Sequence, residues 1–162
     1  MLSTTLDSIG PIGVSVDCCA RVDAVIADAP PAQLPAPLPA TLRMAVVRTT
    51  FLDAMEPAVA DAYDRALRRL RDAGIGVDEI DLPALARIPA INARGTFSAA
   101  EAHANLRRLG LWSRATGIDA NIRVRIEPGA TMSAADYLDL VHARAALIAE
   151  CDAALAPWDV VV

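Results

Sequence analysis

Lysine is absent from the 162 residues, and the fifteen residues counted as lysine or arginine are all arginine. No side-chain amine is therefore available to lose a proton and act as a base, because an arginine guanidinium stays charged. Aromatic residues are few, at 4 %, so the 54 % hydrophobic content rests largely on alanine rather than on bulky side chains. That surplus suits a segment that packs against something outside itself. No apolar run approaches the roughly 18 residues needed to cross a bilayer. The N-terminus also lacks the basic-then-apolar layout of a signal peptide. A cytoplasmic location without membrane contact is expected.

Other absences remove whole reaction classes. There is no Cys-x-x-Cys, and the two histidines, His103 and His142, do not complete a recognised ligand spacing, so neither a metal nor a cofactor is expected. Cys18, Cys19 and Cys151 cannot all pair, and neighbouring cysteines do not readily bridge within helix geometry. They read as reduced, buried thiols. A net charge of -5 argues against nucleic acid as a direct partner, since phosphate binding needs a concentrated basic surface. The arginines are dispersed and largely spaced to meet acids one helical turn away. Neither Gly-x-Ser-x-Gly nor Gly-Gly-Ser occurs, so Ser3, Ser8, Ser15, Ser98, Ser113 and Ser133 lack the turn that would make one of them a nucleophile.

The length suffices for one domain with one core. Residues 1–28 read as a loop followed by a helix: Gly10, Pro11 and Gly13 keep the start extended, and Ser15 offers an N-cap. That helix should run to about Asp28 with Cys19, Val22 and Ile26 on its covered face. Residues 29–41 hold the prolines at 30, 31, 35, 37 and 39 and read as an extended connector. Residues 42–162 follow as a βαβ unit at about 42–82, then helices and a terminal strand. In the βαβ unit, Pro57 opens a helix with the stripe Val59, Ala62, Tyr63, Ala66, Leu67 and Leu70, supported by Asp61–Arg65 and Asp64–Arg68 pairs. Gly74 ends it, so the strands on either side should be parallel. A helix is expected from Ile91 to Leu109, and a break at Pro128-Gly129. A box-capped helix starting after Ser133 should then bury Tyr137, Leu140, Val141, Ile148, Cys151 and Leu155. Asp159 to Val162 reads as a central parallel strand because both its faces are apolar.

Four blocks carry a resemblance. Ser3, Leu6, Asp7, Ser8, Gly10 and Pro11, followed by Ser15, Val16, Asp17, Val25, Ile26 and Ala27, fit S-x-x-L-D-[ST]-x-G-P and the helix after it. Glu101-Ala-His-Ala-Asn105-Leu106-Arg107-Arg108 fits E-A-x-x-N-L-x-R, and Arg125-Ile-Glu-Pro-Gly129 with Ser133, Tyr137 and Arg144 fits a third block. Trp158 to Val162 is similar to a Y-D-x-x-x strand. In this order the blocks resemble the amidase signature family, which includes the amide-cleaving component of the glutamine-dependent tRNA amidotransferase. The resemblance implies an α/β fold with a mixed β-sheet covered by helices. It also implies hydrolysis of the carbon-nitrogen bond of a linear amide through an acyl-serine.

In that family a serine, a second serine in a cis peptide and a neutral lysine do the chemistry, in a Gly/Ser-rich segment expected before residue 1. The family pattern has Pro at the place of Met1 and Pro-Thr after Val162, so the chain is expected to be an internal part of a roughly threefold longer protein. It should then contain no catalytic residue and be inactive alone. Its partners would be a small amide substrate in the complete enzyme and a missing catalytic segment, or a second copy through self-association. The alternative is a non-catalytic module that binds a small molecule or completes a catalytic partner.

Among single residues, Arg125 is the candidate for substrate contact. The resemblance implies that it grips a carboxylate, with Arg123 as a competing match. Asp7 should accept backbone N–H bonds in its turn beside Gly10 and Pro11. Glu101 and Asn105 share a helix face and are expected to form a salt-bridged seam. Arg144 falls in an apolar stripe and should have a structural role, paired or reaching water. His103 reads as a surface or packing residue.

Overall fold

The run Met44-Ala45-Val46 is apolar and flanked by Arg43 and Arg48, which suits a strand buried along its middle and solvated at its ends. In a computed structural model describing residues 2–30, 41–49, 52–114 and 117–162, this run lies in β1 (Arg43–Arg48). Helix α2 (Pro57–Asp72) starts with proline at its first position, where no N–H is needed. Gly74, at φ +84, then turns the chain into β2 (Gly76–Asp81). β1 and β2 pair in parallel, Met44 opposite Val77 and Val47 opposite Ile80, so the βαβ unit is present. The protein is α/β. Where a mixed sheet is expected, the three described strands are all parallel, in the order β2-β1-β3.

The third strand, β3 (Val160–Val161), corrects one expectation. It pairs with β1 through Met44–Val160 and Ala45–Val161 and lies at an edge, with Val161 45 % exposed. The central strand is β1, and the most deeply buried residue of that sheet is accordingly Ala45. Asp159 pins the junction by accepting the Arg43 N–H at 2.8 Å, while Arg43 stacks on Trp158.

Helix α1 (Val16–Ile26) is capped by Ser15, which accepts the Cys18 N–H. Its expected covered face is mostly open. Only Ala24 is buried, Val22 and Ile26 are about half exposed, and Val25 is 78 % exposed. The buried-thiol expectation fails for the same reason: Cys18 is exposed and Cys19 and Cys151 are half-buried, although all three are free. Helix α1 packs extensively against no other element among the described residues, so its apolar side has nothing to cover it. The connector at 29–41 lies almost wholly outside the described residues.

The expected α2 stripe rotates by one position. Leu67 is buried and Ala60, Tyr63 and Leu70 are half-buried, whereas Val59, Ala62 and Ala66 face outward. Spacing of i, i+3, i+7 and i+10 explains the shift better than the broader stripe did. The Asp61–Arg65 and Asp64–Arg68 pairs do not form. Among the described residues only Arg21–Asp17 is a one-turn ion pair, and the other four link separate elements. Glu79, for example, meets Arg48 from the neighbouring strand and Arg71 from α2.

The expected helix from Ile91 to Leu109 is broken. A 3-10 turn (Pro83–Arg87) runs into α3 (Ile88–Ile91), and Gly95 at φ +137 then redirects the chain. Thr96 caps α4 (Phe97–Arg108) by accepting the Ala99 N–H at 3.1 Å. Pro128 and Gly129 make a joint rather than a gap: α5 (Ala120–Ile126) passes through Glu127 directly into α6 (Pro128–Thr131). Glycine is required at 129 because a Cβ there would collide with the backbone carbonyl of Ala99 on α4. Helix α7 (Ala134–Leu155) opens with the complete Ser133–Asp136 capping box. Its covered face holds Tyr137, Leu140, Arg144, Leu147, Cys151 and Leu155, while Val141 and Ile148 lie on the opposite, more exposed side.

Candidate functional site

The start of the chain and the helical half meet at one carboxylate. Glu101 projects from the middle of α4 and accepts four hydrogen bonds without any cation. Ser3 Oγ donates at 2.7 Å, the Thr5 N–H at 2.9 Å, and Tyr137 Oη from α7 at 2.8 Å, with the Thr5 hydroxyl completing the set. Burial by itself would raise the Glu101 pKa. The Thr5, Ser3 and Tyr137 hydrogen bonds outweigh it and bring the carboxyl down to about 2. Burial and the facing carboxylate push the Tyr137 phenol up. The seam expected at Glu101 and Asn105 is therefore present in position but is not salt-bridged. Asn105 donates to the Leu2 carbonyl at 3.3 Å and accepts from Arg108.

These bonds fix a short strap. Asp7 Oδ2 accepts the Leu2 N–H at 2.6 Å, and the Asp7 N–H donates to the Ser3 carbonyl at 2.9 Å, so the carboxylate closes a loop behind it rather than onto Gly10 and Pro11. Around Gly10 there is open space, and among the described residues the Pro11 carbonyl receives the Cys19 thiol, at 4.0 Å. Ser3, 2 % exposed and spent on Glu101, is placed as a structural hydroxyl.

The strap forms one wall of a cavity of about 660 Å³. Leu2 and Leu6 face Ile88 and Ile91 on α3, Phe97 on α4, and Leu140 on α7. Two cations open into this apolar space, Arg125 from the exposed side of α5 and Arg144 from the covered face of α7. Arg144 lies 5.7 Å from the Phe97 ring centroid and meets no carboxylate among the described residues. Arg123 points elsewhere: it stacks on Trp112 at 4.5 Å and reaches the Trp112 carbonyl at 3.5 Å. His103 is buried and meets the edge of Trp112 at 4.9 Å, which makes it a packing residue rather than a surface one. No group of three His, Cys, Asp or Glu among the described residues is placed to hold a metal ion.

The apolar cavity, the βαβ unit and the order of the four blocks converge with sequence comparison. The Amidase family matches residues 1–162, the full length. The chain belongs to the amidase family. An amidase known from a crystal structure superimposes with a TM-score of 0.75 at 25 % identity, over 99 % of this chain and 36 % of that one. A 2-amino-5-chloromuconic acid deaminase from Comamonas testosteroni is 30 % identical over 96 % of the chain and 33 % of its own length. The A component of a glutamyl-tRNA(Gln) amidotransferase from Roseiflexus sp. (strain RS-1) is 32 % identical over 88 % of the chain and 35 % of its own length. The chain thus spans about a third of the length of the curated relatives it matches.

Within this amidase segment the structure groups Arg125 with Arg144 at the cavity, and Glu101 with Asn105 at the strap. It keeps Gly10 and Pro11 apart from both. Sequence reasoning missed Thr5 and Tyr137 as partners of Glu101. Tyr137 was legible as a motif and apolar-stripe residue but not as a hydrogen-bond donor to Glu101, and nothing in the spacing of Thr5 sets it apart. A second cavity, of about 810 Å³, lies at the carboxyl ends of β1 and β2 beside Tyr63, whose buried hydroxyl has no partner among the described residues. No described helix is long and apolar enough to cross a membrane.

Proposed function

We propose that this chain is the part of a cytoplasmic amidase that follows the catalytic segment, and that it walls the pocket in which a linear amide is cleaved through an acyl-serine. The observation that carries this is the match of residues 1–162 to the Amidase family, with relatives of which the chain spans about a third, in a chain without a single lysine. The serine nucleophile, the second serine and the lysine base would come from a segment outside residues 1–162. Alone, the chain is catalytically inactive. In the complete enzyme Arg125 faces the substrate, and its planar, always-charged fork suits a carboxylate at the far end of the amide. The Comamonas relative is named for a carboxylic acid substrate, which agrees with that role.

The test is ammonia release from glutamine, indoleacetamide and simple aryl or alkyl amides by the purified chain. No release is expected. Turnover that survives serine-directed controls for contaminants would overturn the reading.

A second reading, a non-catalytic module that binds a small molecule, draws on the 810 Å³ cavity at the carboxyl ends of the parallel strands. A stable monomer with a saturable ligand would favour it. The amidase reading instead expects the isolated chain to self-associate, because β3 is an open edge and Val14 and Val25 of the α1 region are 99 % and 78 % exposed. Sedimentation at several concentrations separates the two.

A further inference from the structure

Arginine pairing singles out two side chains. Arg21, Arg48, Arg71, Arg87 and Arg94 form ion pairs with carboxylates, and Arg43 and Arg123 lie over tryptophan rings. Arg65, Arg68, Arg69, Arg107 and Arg114 sit on exposed surface away from the 660 Å³ cavity, and Arg108 donates to Asn105. Arg125 and Arg144 alone line that cavity, and neither meets a carboxylate among the described residues. Among the described residues no aspartate or glutamate lines the cavity. Two cations and no acid are thus the charged groups that the described residues bring to it.

The two arginines differ in depth. Arg125 is exposed at the rim, whereas Arg144 is half-buried over Phe97 beside Leu140 and Leu147. Among the described residues the Arg144 guanidinium has a ring contact and no carboxylate, so its N–H donors stay open to the cavity. An anionic group of the ligand would supply the missing acceptor. The apolar wall between the two positions favours a hydrocarbon body.

We infer that Arg144 is a second anion contact beside Arg125, so that the cavity selects a ligand with two carboxylates joined by an apolar chain over one with a single carboxylate. The inference rests on the reading of this cavity as the substrate pocket, but it concerns binding and is tested without catalysis. Failure of amide hydrolysis and failure of dicarboxylate selection are separate results.

The experiment is calorimetric titration of the full chain with succinate, adipate and suberate, and with hexanoate and hexanamide as one-charge and neutral partners of adipate. One member of the dicarboxylate series should bind at least about tenfold tighter than hexanoate, the effect of one charge-assisted pair. Arg144→Gln should bring that dicarboxylate down to the hexanoate level while leaving hexanoate within about twofold. Arg144→Lys should recover part of the loss, since it restores charge but not the fork. Three results would overturn the inference. The first is equal binding of dicarboxylates and hexanoate. The second is an equal loss for hexanoate and hexanamide in both Arg144 variants with a fall in melting temperature, the mark of a packing residue. The third is a loss of hexanoate in Arg144→Gln as large as in Arg125→Gln, the mark of one anion shared by both.

Discussion

Two neighbouring stretches of the same block behave oppositely. Residues 2–7 are tied to α4 and α7 by the bonds that converge on Glu101, and Ser3 is 2 % exposed. A few residues on, Ile12 and Val14 are fully exposed and α1 buries only Ala24. The first stretch is polar in sequence and is anchored, with Ser3 buried and its neighbours exposed; the second is apolar and stays open on the surface. Hydrophobicity alone thus does not decide what is held down. A segment is anchored where a partner surface exists within the same chain, and Glu101 supplies that partner for the strap.

The sharpest way to break this contrast is Glu101→Ala. It would strand the part-buried Ser3 and Tyr137 hydroxyls and release the exposed Thr5 N–H to solvent, and unsatisfied buried groups cost about 1–3 kcal/mol. Urea unfolding should show a loss of roughly 2–4 kcal/mol, with faster hydrogen exchange at residues 2–7. Gly129→Ala comes next, because the new Cβ pushes α6 off the Ala99 carbonyl; overpacking of this kind costs about 1–3 kcal/mol in the same assay.

Acid should reproduce a fraction of the Glu101 effect. The folded carboxyl at about 2 lies below the ordinary glutamate value near ~4.3, so its stabilisation is complete above ~4.3 and is lost as pH falls toward about 2. The unfolding midpoint should decline across that window, and the decline should be shallower in Glu101→Gln. An equal slope in both proteins would remove the carboxylate from its central position. The smallest effect belongs to Val25→Ser on the open side of α1, expected within about ±0.5 kcal/mol in stability but with reduced self-association in sedimentation. A large destabilisation there would mean that α1 is packed after all.

Much of the frame was legible. Ser15, Pro57, Gly74 and the Ser133–Asp136 box act through their immediate neighbours, so the caps and ends they predict appear in the structure. Where several elements must meet, legibility fails. The position of β3 at the edge, the exposure of Cys18 and the orientation of α2 depend on which faces find partners, and spacing along the chain does not encode that. The cavity shows the same division. Arg125 stood out from its block, but the placing of Arg144 beside it, away from any acid, is visible only once α5 and α7 are packed.

The most direct test of the central claim is reconstitution. The chain would be assayed for ammonia release alone and after co-expression with the part of the Comamonas relative that this chain does not match. No release from the chain alone, and amide hydrolysis once the two are combined, is the result the account predicts. Sustained hydrolysis by the chain alone would contradict it.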